Sequence, residues 1–162
     1  MSIIINSSKQ HIVDFLDRHH DGVLATVDAS GQPHAATVYF TCDREQTLYF
    51  VTKKETQKSR NIQQNAKAAI AIHDVPTLTT LQAEGTISEV TDPQQQEWVF
   101  NDIWRIAFRS GQNGPPPSQI LAGGYVVYRF MAPTLRLARF NTTDPNTVGE
   151  SIFEVTHTTP TL

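Results

Sequence analysis

Segments with the composition of β-strands follow one another along most of this chain, and many of them are separated by turns of only a few residues. Neighbouring parallel strands need a crossover of about a dozen residues or more, usually a helix. This spacing therefore favours an antiparallel sheet over a parallel, doubly wound one. Small antiparallel sheets close into barrels because closure removes exposed strand edges. We predict a mostly β fold with α additions, in which helices flank an antiparallel barrel.

At least seven strands are predicted from apolar and polar residues that alternate between turn signals. Gly85 lies inside the fifth of them, where a glycine predicts a bulge, a bend, or the close approach of another backbone or a ligand. The predicted strands are Val23–Val27, His34–Thr41, Leu48–Thr52, Lys67–Ile72, Leu81–Val90, Tyr125–Met131 and Leu135–Phe140, the last two joined across Ala132-Pro133.

Three helices are predicted from apolar residues at helical spacing. Capping residues mark where they begin: Asn6 or Ser7 for the first, Thr56 for the second and Asp92 for the third. Asp21-Gly22 supplies the stop of the first helix. The apolar stripe of the third helix predicts either a core contact or a subunit contact. The three helices span Lys9–His20, Gln57–Gln64 and Pro93–Phe108.

Length and composition predict a single domain. A chain of 162 residues with 39% hydrophobic content can bury one sizeable core. We predict one domain over residues 1–143, and a C-terminal tail over 144–162 that is either flexible or packed on a partner subunit. The glycines and prolines of Ser110–Ser118 predict a connector or a mobile lid.

Charge and cysteine content argue against several functional classes. The formal net charge of -3 argues against a non-specific nucleic-acid binder, which needs an excess of Lys and Arg. Cys42 is the single cysteine, so no intramolecular disulfide can form, and we interpret it as a half-buried strand residue rather than a reactive thiol. No N-terminal apolar stretch is long enough for a signal peptide or a membrane span. We therefore expect a cytoplasmic protein without nucleic-acid or membrane partners.

Metal and hydrolytic chemistry also lack a sequence signature. His11, His19 and His20 have no Cys, Glu or Asp at a metal-like interval, so no metal site is predicted. His34 and His73 are strand residues that are either structural or next to a ligand. The G-x-S-x-G motif of a nucleophilic serine is absent from the sequence, and no paired-carboxylate arrangement can be argued.

A local basic cluster is the strongest functional signal in the chain. It lies where the third predicted strand is followed by the second predicted helix, in a protein with only 13 Lys and Arg residues. A helix N-terminus offers unpaired backbone N–H groups and a positive dipole end, which together bind phosphate. We predict Thr52, Thr56 and Lys58 as donors to such a phosphate; the alternative is a solvated polar turn. The basic residues of the cluster are Lys53, Lys54, Lys58 and Arg60.

Three segments in this order carry a resemblance to a known family. They read GVLATVDASGQPHAATVYF, LYFVTKKETQKSRNIQQNAKAAIAI and LQAEGTISEV, and together they cover roughly the first 90 residues. They resemble the pyridoxamine 5'-phosphate oxidase-like group of FMN-binding split barrels, especially its short general-stress-protein members. The resemblance implies a six-stranded split barrel that forms a homodimer, with two FMN molecules bound in clefts between the subunits.

The resemblance also implies which residues contact the isoalloxazine ring. The strand after the Gly-x-Pro turn lays its backbone along the ring, which corresponds here to Thr37, Val38 and Tyr39. Peptide N–H and C=O groups can meet the polar edge of a flavin, so varied side chains are tolerated there. Thr80 falls where some relatives place a glutamine near the flavin.

The phosphate end of the cofactor is implied to bind at the basic cluster. Val51 and Thr52 match the hydroxyl-bearing strand end of the family. Thr56, Gln57 and Lys58 match its small-hydroxyl, polar and lysine phosphate grip. The resemblance and the helix-terminus argument therefore point to the same bend of the chain.

The chain departs from the family's vitamin B6 oxidases at two places. Ala36 stands where those enzymes carry an arginine, and the C-terminal Arg-x-His-x-Arg type motif is absent. We therefore do not predict oxidation of pyridoxamine phosphate. Substrate contacts would come from other groups, or these side chains are simply surface charges. The candidates are Arg105, Arg109, Arg129 and Arg139.

The resemblance implies a small FMN-dependent oxidoreductase whose catalytic residues are not identified. A flavin performs the electron transfer itself, so the absence of a catalytic dyad is no objection. Two alternatives stay open. One is a non-catalytic flavin-binding stress or sensor protein, or an interaction module, and the other is a related barrel that uses F420 or haem.

Overall fold

The structure, a computed structural model, describes residues 2–108, 122–140 and 153–158, with side chains for 9–108 and 122–139. These residues form three helices and seven strands. In chain order the elements are α1 (Ser2–Leu16), β1 (Asp21–Val27), β2 (Pro33–Cys42), β3 (Leu48–Lys53), α2 (Gln57–Gln64), β4 (Lys67–Asp74), β5 (Thr79–Glu89), α3 (Pro93–Phe108), β6 (Tyr125–Phe140) and β7 (Phe153–Thr158).

The sheet closes into a six-stranded antiparallel barrel. Its strand order is β3-β2-β1-β4-β5-β6-β7, and a further pairing between β3 and β6 closes the ring. Every strand pair is antiparallel. Strand β7 pairs with β6 outside the ring. The predicted mostly β fold, a six-stranded antiparallel split barrel flanked by helices, is confirmed.

Strand β6 corrects the prediction of two strands joined across Ala132-Pro133. It is one strand of 16 residues. Its ladder with β5 shifts register between Glu84 and Thr86, so Ala132 and Pro133 lie opposite the single residue Gly85. A proline cannot donate to a ladder, but a bulge leaves a residue unpaired and so accommodates it. The strand therefore continues through the proline.

Gly85 lies at this bulge as predicted. A Cβ atom on Gly85 would lie 2.8 Å from the carbonyl carbon of Met131 and 3.0 Å from the Cα atom of Ala132. The neighbouring atoms belong to backbone and cannot rotate away. Only glycine therefore allows β5 and β6 to approach this closely.

The seventh strand lies where the sequence predicted only a tail. Strand β7 (Phe153–Thr158) falls within residues 144–162 and pairs with the second half of β6, from Leu135 to Phe140. The count of seven strands thus agrees with the prediction for a different reason, because two predicted strands merge into β6 and β7 was not predicted.

Helix α1 begins and ends earlier than predicted. It starts at Ser2, ahead of the proposed caps Asn6 and Ser7, and it ends at Leu16. Asp21 and Gly22, proposed as its stop, are instead the first residues of β1. The helix already stops at Leu16, where Arg18 N–H donates to the carbonyl of Phe15 at 3.2 Å, a tighter turn than the α-helical one.

Two hydrophobic clusters hold the described part of the chain together. The larger one fills the barrel and includes Leu24, Phe40 and Phe50, with α1 covering the end where β1 begins. The smaller one lies outside the barrel, where Val99 and Phe100 of α3 pack against β3 and β6. The apolar stripe of the third helix therefore makes a core contact through Val99 and Phe100. This is one of the two kinds of contact that the sequence predicted for it. None of the described helices is long and apolar enough to cross a membrane.

Candidate functional site

Helix α2 begins directly after β3, at the predicted cap. Thr56 has the extended backbone of an N-cap residue, with φ -73 and ψ 154, and its side-chain oxygen accepts a hydrogen bond from Ser59 N–H at 3.4 Å. The helix spans Gln57–Gln64 as predicted. The described backbone supplies no acceptor to the N–H groups of Gln57 and Lys58, as expected in the first turn of a helix.

Two threonine hydroxyls meet at this helix start. Thr52 is 5% exposed, and its Oγ1 atom lies 3.2 Å from Oγ1 of Thr56. The Thr56 hydroxyl donates to the carbonyl of Lys53 at 2.9 Å, so Thr52 must donate to Thr56. Both hydroxyl protons are therefore used locally, and each would have to rotate to reach a ligand.

Within the basic cluster, Lys58 is partly buried, and its ammonium group has no counter-ion among the described residues. Partial burial lowers the pKa of its ammonium group from the usual value. Among the described residues, no carboxylate forms an ion pair with Lys58. A desolvated cation without a counter-ion is stabilised by an anion that binds beside it.

Two other basic residues of the cluster, Lys53 and Arg60, have side-chain contacts within the chain. The Lys53 ammonium lies 5.6 Å from the ring centroid of Tyr125, a cation–π contact. Arg60 donates to Oε1 of Gln57 at 2.9 Å. Gln57 in turn donates to Oδ1 of Asn61 at 2.8 Å. The side chain of Gln57 therefore ties the first turn of α2 together, and its backbone N–H is the group left for a ligand.

Strands β2 and β3 diverge next to this helix start, and we call the gap between them the β2–β3 split. Their ladder covers only Phe40 to Cys42 of β2, whereas β1 pairs with Pro33 to Tyr39. Strand β3 instead follows β6, and that pairing extends to Lys53. The barrel is therefore split on one side of β2.

The predicted ring residues lie on one wall of the β2–β3 split. Phe40 N–H donates to the carbonyl of His20, at the β1 side of the strand. Backbone groups of successive residues point to opposite strand edges. The N–H and C=O groups of Thr37 and Tyr39 therefore point away from β1, into the split. Tyr39 is 55% exposed, and Val38 between them faces the core at 4%.

The predicted phosphate residues lie on the other wall. If the register set by Phe40 and Phe50 continued, Val51 would lie opposite Tyr39 and Lys53 opposite Thr37. The side chain of Val51 itself packs against the cluster under α3. Only the backbone of Val51 is therefore available to a ligand. The structure brings the two sets of predicted residues to opposite sides of one gap.

Thr80 is not brought to this gap within one chain. It lies on β5, where its Oγ1 atom is 2.9 Å from Nδ1 of His73. Strand β5 is three strands from β2 in the sheet, which corresponds to about 14 Å at the usual spacing between strands. In the ring of six strands, β5 therefore lies opposite β2.

The inner face of β2 contains a buried polar atom of His34, which the sequence analysis left as either structural or next to a ligand. Nδ1 of His34 is buried and has no hydrogen-bond partner in the described part of the chain. His34 lies two residues before Ala36 on the same face of β2, and opposite Thr26 of β1. Thr26 accepts a hydrogen bond from Asn61 of α2 at 3.1 Å. Asn61 of α2 and His34 of β2 therefore both lie next to Thr26.

The arginines proposed as substrate contacts do not gather in one place. Arg129 donates to Ser88 Oγ at 2.8 Å and is structural. Arg139 lines a cavity of about 250 Å³ beside α1, and Arg105 lines a cavity of about 640 Å³ between the end of α1, β2 and α3. Arg109 lies outside the described residues. Neither cavity is lined by Thr52, Thr56 or Lys58.

The described residues do not include a cluster of metal-ligating side chains. Among them, no three or more His, Cys, Asp or Glu side chains form a group that could hold an ion. The site is therefore built from backbone N–H groups, hydroxyls and one ammonium group, which are donors to an anion.

Comparisons with known proteins give relatives with several names. The chain is 29% identical over 113 residues to a pyridoxine/pyridoxamine 5'-phosphate oxidase of Pseudomonas paraeruginosa, a match that covers 70% of this chain and 52% of the relative. It is 41% identical over 64 residues to general stress protein 26 of Bacillus subtilis, covering 40% of this chain and 44% of the relative. The chain thus spans about half the length of these curated relatives.

Solved structures share the fold. General stress protein 26 of Bacillus anthracis superposes with a TM-score of 0.63 at 21% identity, covering 80% of this chain and 92% of that one. A structure named F420 reductase superposes with a TM-score of 0.61 at 23% identity, covering 75% and 93%. The family model described as pyridoxamine 5'-phosphate oxidase matches residues 8–132, which include the whole β2–β3 split. This match covers most of the chain and agrees with the split barrel described above. The chain therefore belongs to the pyridoxamine 5'-phosphate oxidase family.

Proposed function

We propose that the chain is an FMN-binding flavoprotein and a small oxidoreductase, not a true pyridoxamine phosphate oxidase. The observation that carries this proposal is the convergence at the β2–β3 split. The free backbone edge at Thr37 and Tyr39 faces the start of α2, where Lys58 lies without a described counter-ion. A flavin mononucleotide has a planar polar ring at one end and a phosphate at the other, and these two walls complement those ends.

The residues at the split have separate tasks in this proposal. The backbone N–H groups of Gln57 and Lys58 and the Lys58 ammonium hold the phosphate. The backbone of Thr37 and Tyr39 orients the polar edge of the ring. The contact between the buried Thr52 and Thr56 holds the start of α2 in position next to β3. Bound FMN would supply the hydride or electron transfer, and the chain positions it.

A homodimer is part of the proposal, because the described part of one chain leaves an apolar face of the sheet uncovered. Val23 and Tyr39 are 46% and 55% exposed on the outer face of β1 and β2. Small residues surround them, including Ala25, Ala35 and Ala71. Such a flat face suits another copy of itself. A second copy would also supply the contact that Thr80 cannot make within its own chain.

Vitamin B6 oxidation is not proposed, because Ala36 occupies the position at which the resemblance expects arginine. The relative named general stress protein 26 favours a second candidate function, a flavin-binding stress protein without turnover. The two candidates share the binding site and differ only in whether bound flavin is reduced.

The absorption spectrum of the protein as purified tests the cofactor. We expect the bands of oxidised flavin at about one FMN per chain, and loss of flavin fluorescence when flavin-free protein is titrated with FMN. Colourless protein that binds no added FMN would refute the proposal, and bands of F420 or haem would replace FMN with that cofactor. Anaerobic mixing with NADH and NADPH then separates an oxidoreductase, whose flavin bleaches, from a stress protein, whose flavin does not.

Light scattering tests the dimer. At micromolar concentration we expect twice the chain mass of 18.1 kDa. Val23→Asp should shift the protein to monomers and weaken FMN binding, because a charge buried at the interface is costly. Val75→Asp is a matched control, since Val75 is also exposed, at 67%, but lies in the turn between β4 and β5. A wild-type mass of one chain would contradict this part of the proposal.

A further inference from the structure

A cavity of about 250 Å³ lies beside α1, away from the β2–β3 split. Its wall is formed by α1 and the residues just after it, the turn between β4 and β5, and the last part of β6. None of the described residues that line it belongs to β2, β3 or α2. The cavity is therefore built independently of the candidate flavin site.

The cavity has a buried, largely apolar floor and a charged rim. Phe15, Thr79 and Leu137 line it and are buried, whereas its arginines are exposed. The volume corresponds to roughly eight water molecules at about 30 Å³ each. It is smaller than the range of about 300 to 1,000 Å³ found for drug-sized ligands. The cavity therefore suits a small molecule with a short apolar group.

Two guanidinium groups at the rim have no carboxylate partner among the described residues. Arg18 uses its Nε–H for a 2.9 Å hydrogen bond to the carbonyl of Asp14, which leaves the N–H groups of its other two nitrogens without a described acceptor. Arg139 forms no ion pair with a described side chain. Guanidinium groups bind a carboxylate in a fork. The rim can therefore hold a carboxylate of a ligand.

A carboxylate at the same rim has no cation beside it in the described part of the chain. Oδ1 of Asp14 accepts a hydrogen bond from the amide of Gln10 at 2.7 Å, which leaves the charge of Asp14 unneutralised. Asp74 also lines the cavity, but its Oδ2 atom accepts from the Thr77 hydroxyl at 2.5 Å and lies 3.6 Å from Nε2 of His19. Asp14 is therefore the carboxylate that an ammonium group of a ligand would reach without a competing cation.

The opposite charges of the rim do not neutralise one another. Asp14 and Arg18 are four residues apart, a spacing at which opposite charges pair along a helix. The described chain ends α1 at Leu16, and the Arg18 guanidinium bonds to the backbone of Asp14 instead of its carboxylate. Opposite charges held unpaired around one small cavity are complementary to a ligand that carries both signs.

We propose that this cavity binds a small zwitterion of the α-amino-acid class. Arg18 and Arg139 hold its carboxylate, and Asp14 holds its ammonium group. Phe15 and Leu137 contact its apolar side chain. The site goes beyond the proposed flavin function and does not depend on it, because the two share no described residue.

Calorimetric titration of the full-length protein with L-leucine tests the site. Two analogues of similar shape separate the charges, since leucinamide lacks the carboxylate and isocaproate lacks the ammonium group. Each should bind at least about fivefold more weakly than leucine, a modest loss because the charged side chains are solvent-exposed. Glycine should also bind more weakly, because it has no apolar side chain to bury.

Two variants connect each charge of the ligand to one residue. Arg18→Gln should weaken leucine binding by about fivefold and leave leucinamide binding unchanged, because leucinamide has no carboxylate. Asp14→Asn should weaken leucine binding and leave isocaproate binding unchanged, because isocaproate has no ammonium group. Arg44→Gln and Glu97→Gln are matched controls that remove exposed charges from the turn between β2 and β3 and from α3, and neither should change leucine binding. Thermal melts without ligand check that each variant is folded.

The outcomes separate this inference from the flavin proposal. Absence of saturable leucine binding at millimolar concentration would overturn the site, as would leucine that binds no more tightly than leucinamide or isocaproate. Leucine affinity unchanged in both Arg18→Gln and Asp14→Asn would overturn the assignment of the cavity. Colourless protein that binds leucine would support the site while the flavin proposal fails, and yellow protein that does not bind leucine would do the reverse. Arg18→Gln should leave FMN affinity unchanged, and a loss of FMN affinity would refute the separation of the two sites.

Discussion

The hydroxyl oxygens of Thr52 and Thr56 lie 3.2 Å apart, and this contact holds the start of α2 against the end of strand β3. Thr52 is buried in the barrel, and Thr56 caps the helix. This contact joins the core of the protein to its candidate phosphate site. Changes at either residue should therefore alter stability and ligand binding together.

Lys58→Ala should weaken FMN binding by about 1 to 3 kcal/mol, the range for loss of a charge-assisted hydrogen bond. Fluorescence titration of flavin-free protein with FMN measures this change. Lys67→Ala is a charge-matched control, because Lys67 is exposed at the start of β4, beyond the other end of α2. Equal affinities of the two variants would contradict the assignment of Lys58 to the phosphate.

Thr56→Ala should lower the free energy of unfolding by about 1 kcal/mol, because the helix loses its N-cap. It should also weaken FMN binding, since the first turn of α2 is then less fixed. Thr56→Ser keeps the capping oxygen and should restore most of both losses. Urea denaturation measures the stability, and a variant Thr56→Ala as stable as the wild type would show that the cap contributes nothing.

Gly85→Ala should lower the free energy of unfolding by about 1 to 3 kcal/mol, the range seen when extra atoms are inserted into a well-packed core. The added Cβ atom would meet the backbone of Met131 and Ala132, which cannot move without breaking the bulge. Gly31→Ala serves as the comparison, because Gly31 has φ +88 but no atom within 4 Å of the added Cβ. It should cost only the backbone strain, so thermal melts that rank Gly31→Ala as the more damaging change would refute this account.

Tyr128→Phe should cost about 1 to 2 kcal/mol of stability, because it leaves the buried hydroxyl of Ser59 without its partner. The two oxygens are 2.9 Å apart in the barrel end beneath α2. The double variant with Ser59→Ala removes both polar groups and should lose less than the sum of the single changes. A double-mutant cycle by chemical denaturation measures the coupling, and strict additivity would argue that the hydrogen bond is not formed.

Cys42 and Tyr49 should both contribute to a loss of stability at alkaline pH. Burial, aided by the charge of Asp43, raises the pKa of the Cys42 thiol to about 12, and burial with a hydrogen bond to Asp43 raises the pKa of Tyr49 to about 12. The unfolded chain releases these protons near 9.0 and 10.0. The contribution to stability is therefore complete below about pH 9 and is lost as the pH rises towards 12.

Urea denaturation between pH 8 and pH 11 checks this prediction. The combined variant Cys42→Ala and Tyr49→Phe should show a flatter decline than the wild type, because it lacks both raised pKa values. An equally steep decline would assign the alkaline loss to other groups. The same raised pKa of the Cys42 thiol predicts slow reaction with thiol reagents at pH 8, where thiolate is scarce.

The sequence by itself determined the features that depend on neighbours in the chain. Thr56 and the run that follows predicted α2 to the residue, because capping and helical spacing act over one turn. Closely spaced strands predicted an antiparallel barrel, because short turns allow no parallel crossover. Gly85 predicted a bulge, a bend or a close approach within its strand, and the structure shows the bulge.

The tertiary structure alone decided which distant segments meet. The local sequence pattern predicted a break in β6 at Pro133, but the bulge opposite Gly85 lets the strand continue. Only pairing across the barrel shows that β3 leaves β2 after Phe50 and continues along β6, which opens the split between Thr37 and Lys53. The cavity at Tyr39 and Arg105 likewise joins residues far apart in the chain. Such contacts arise from packing of the whole core, which no short stretch of sequence encodes.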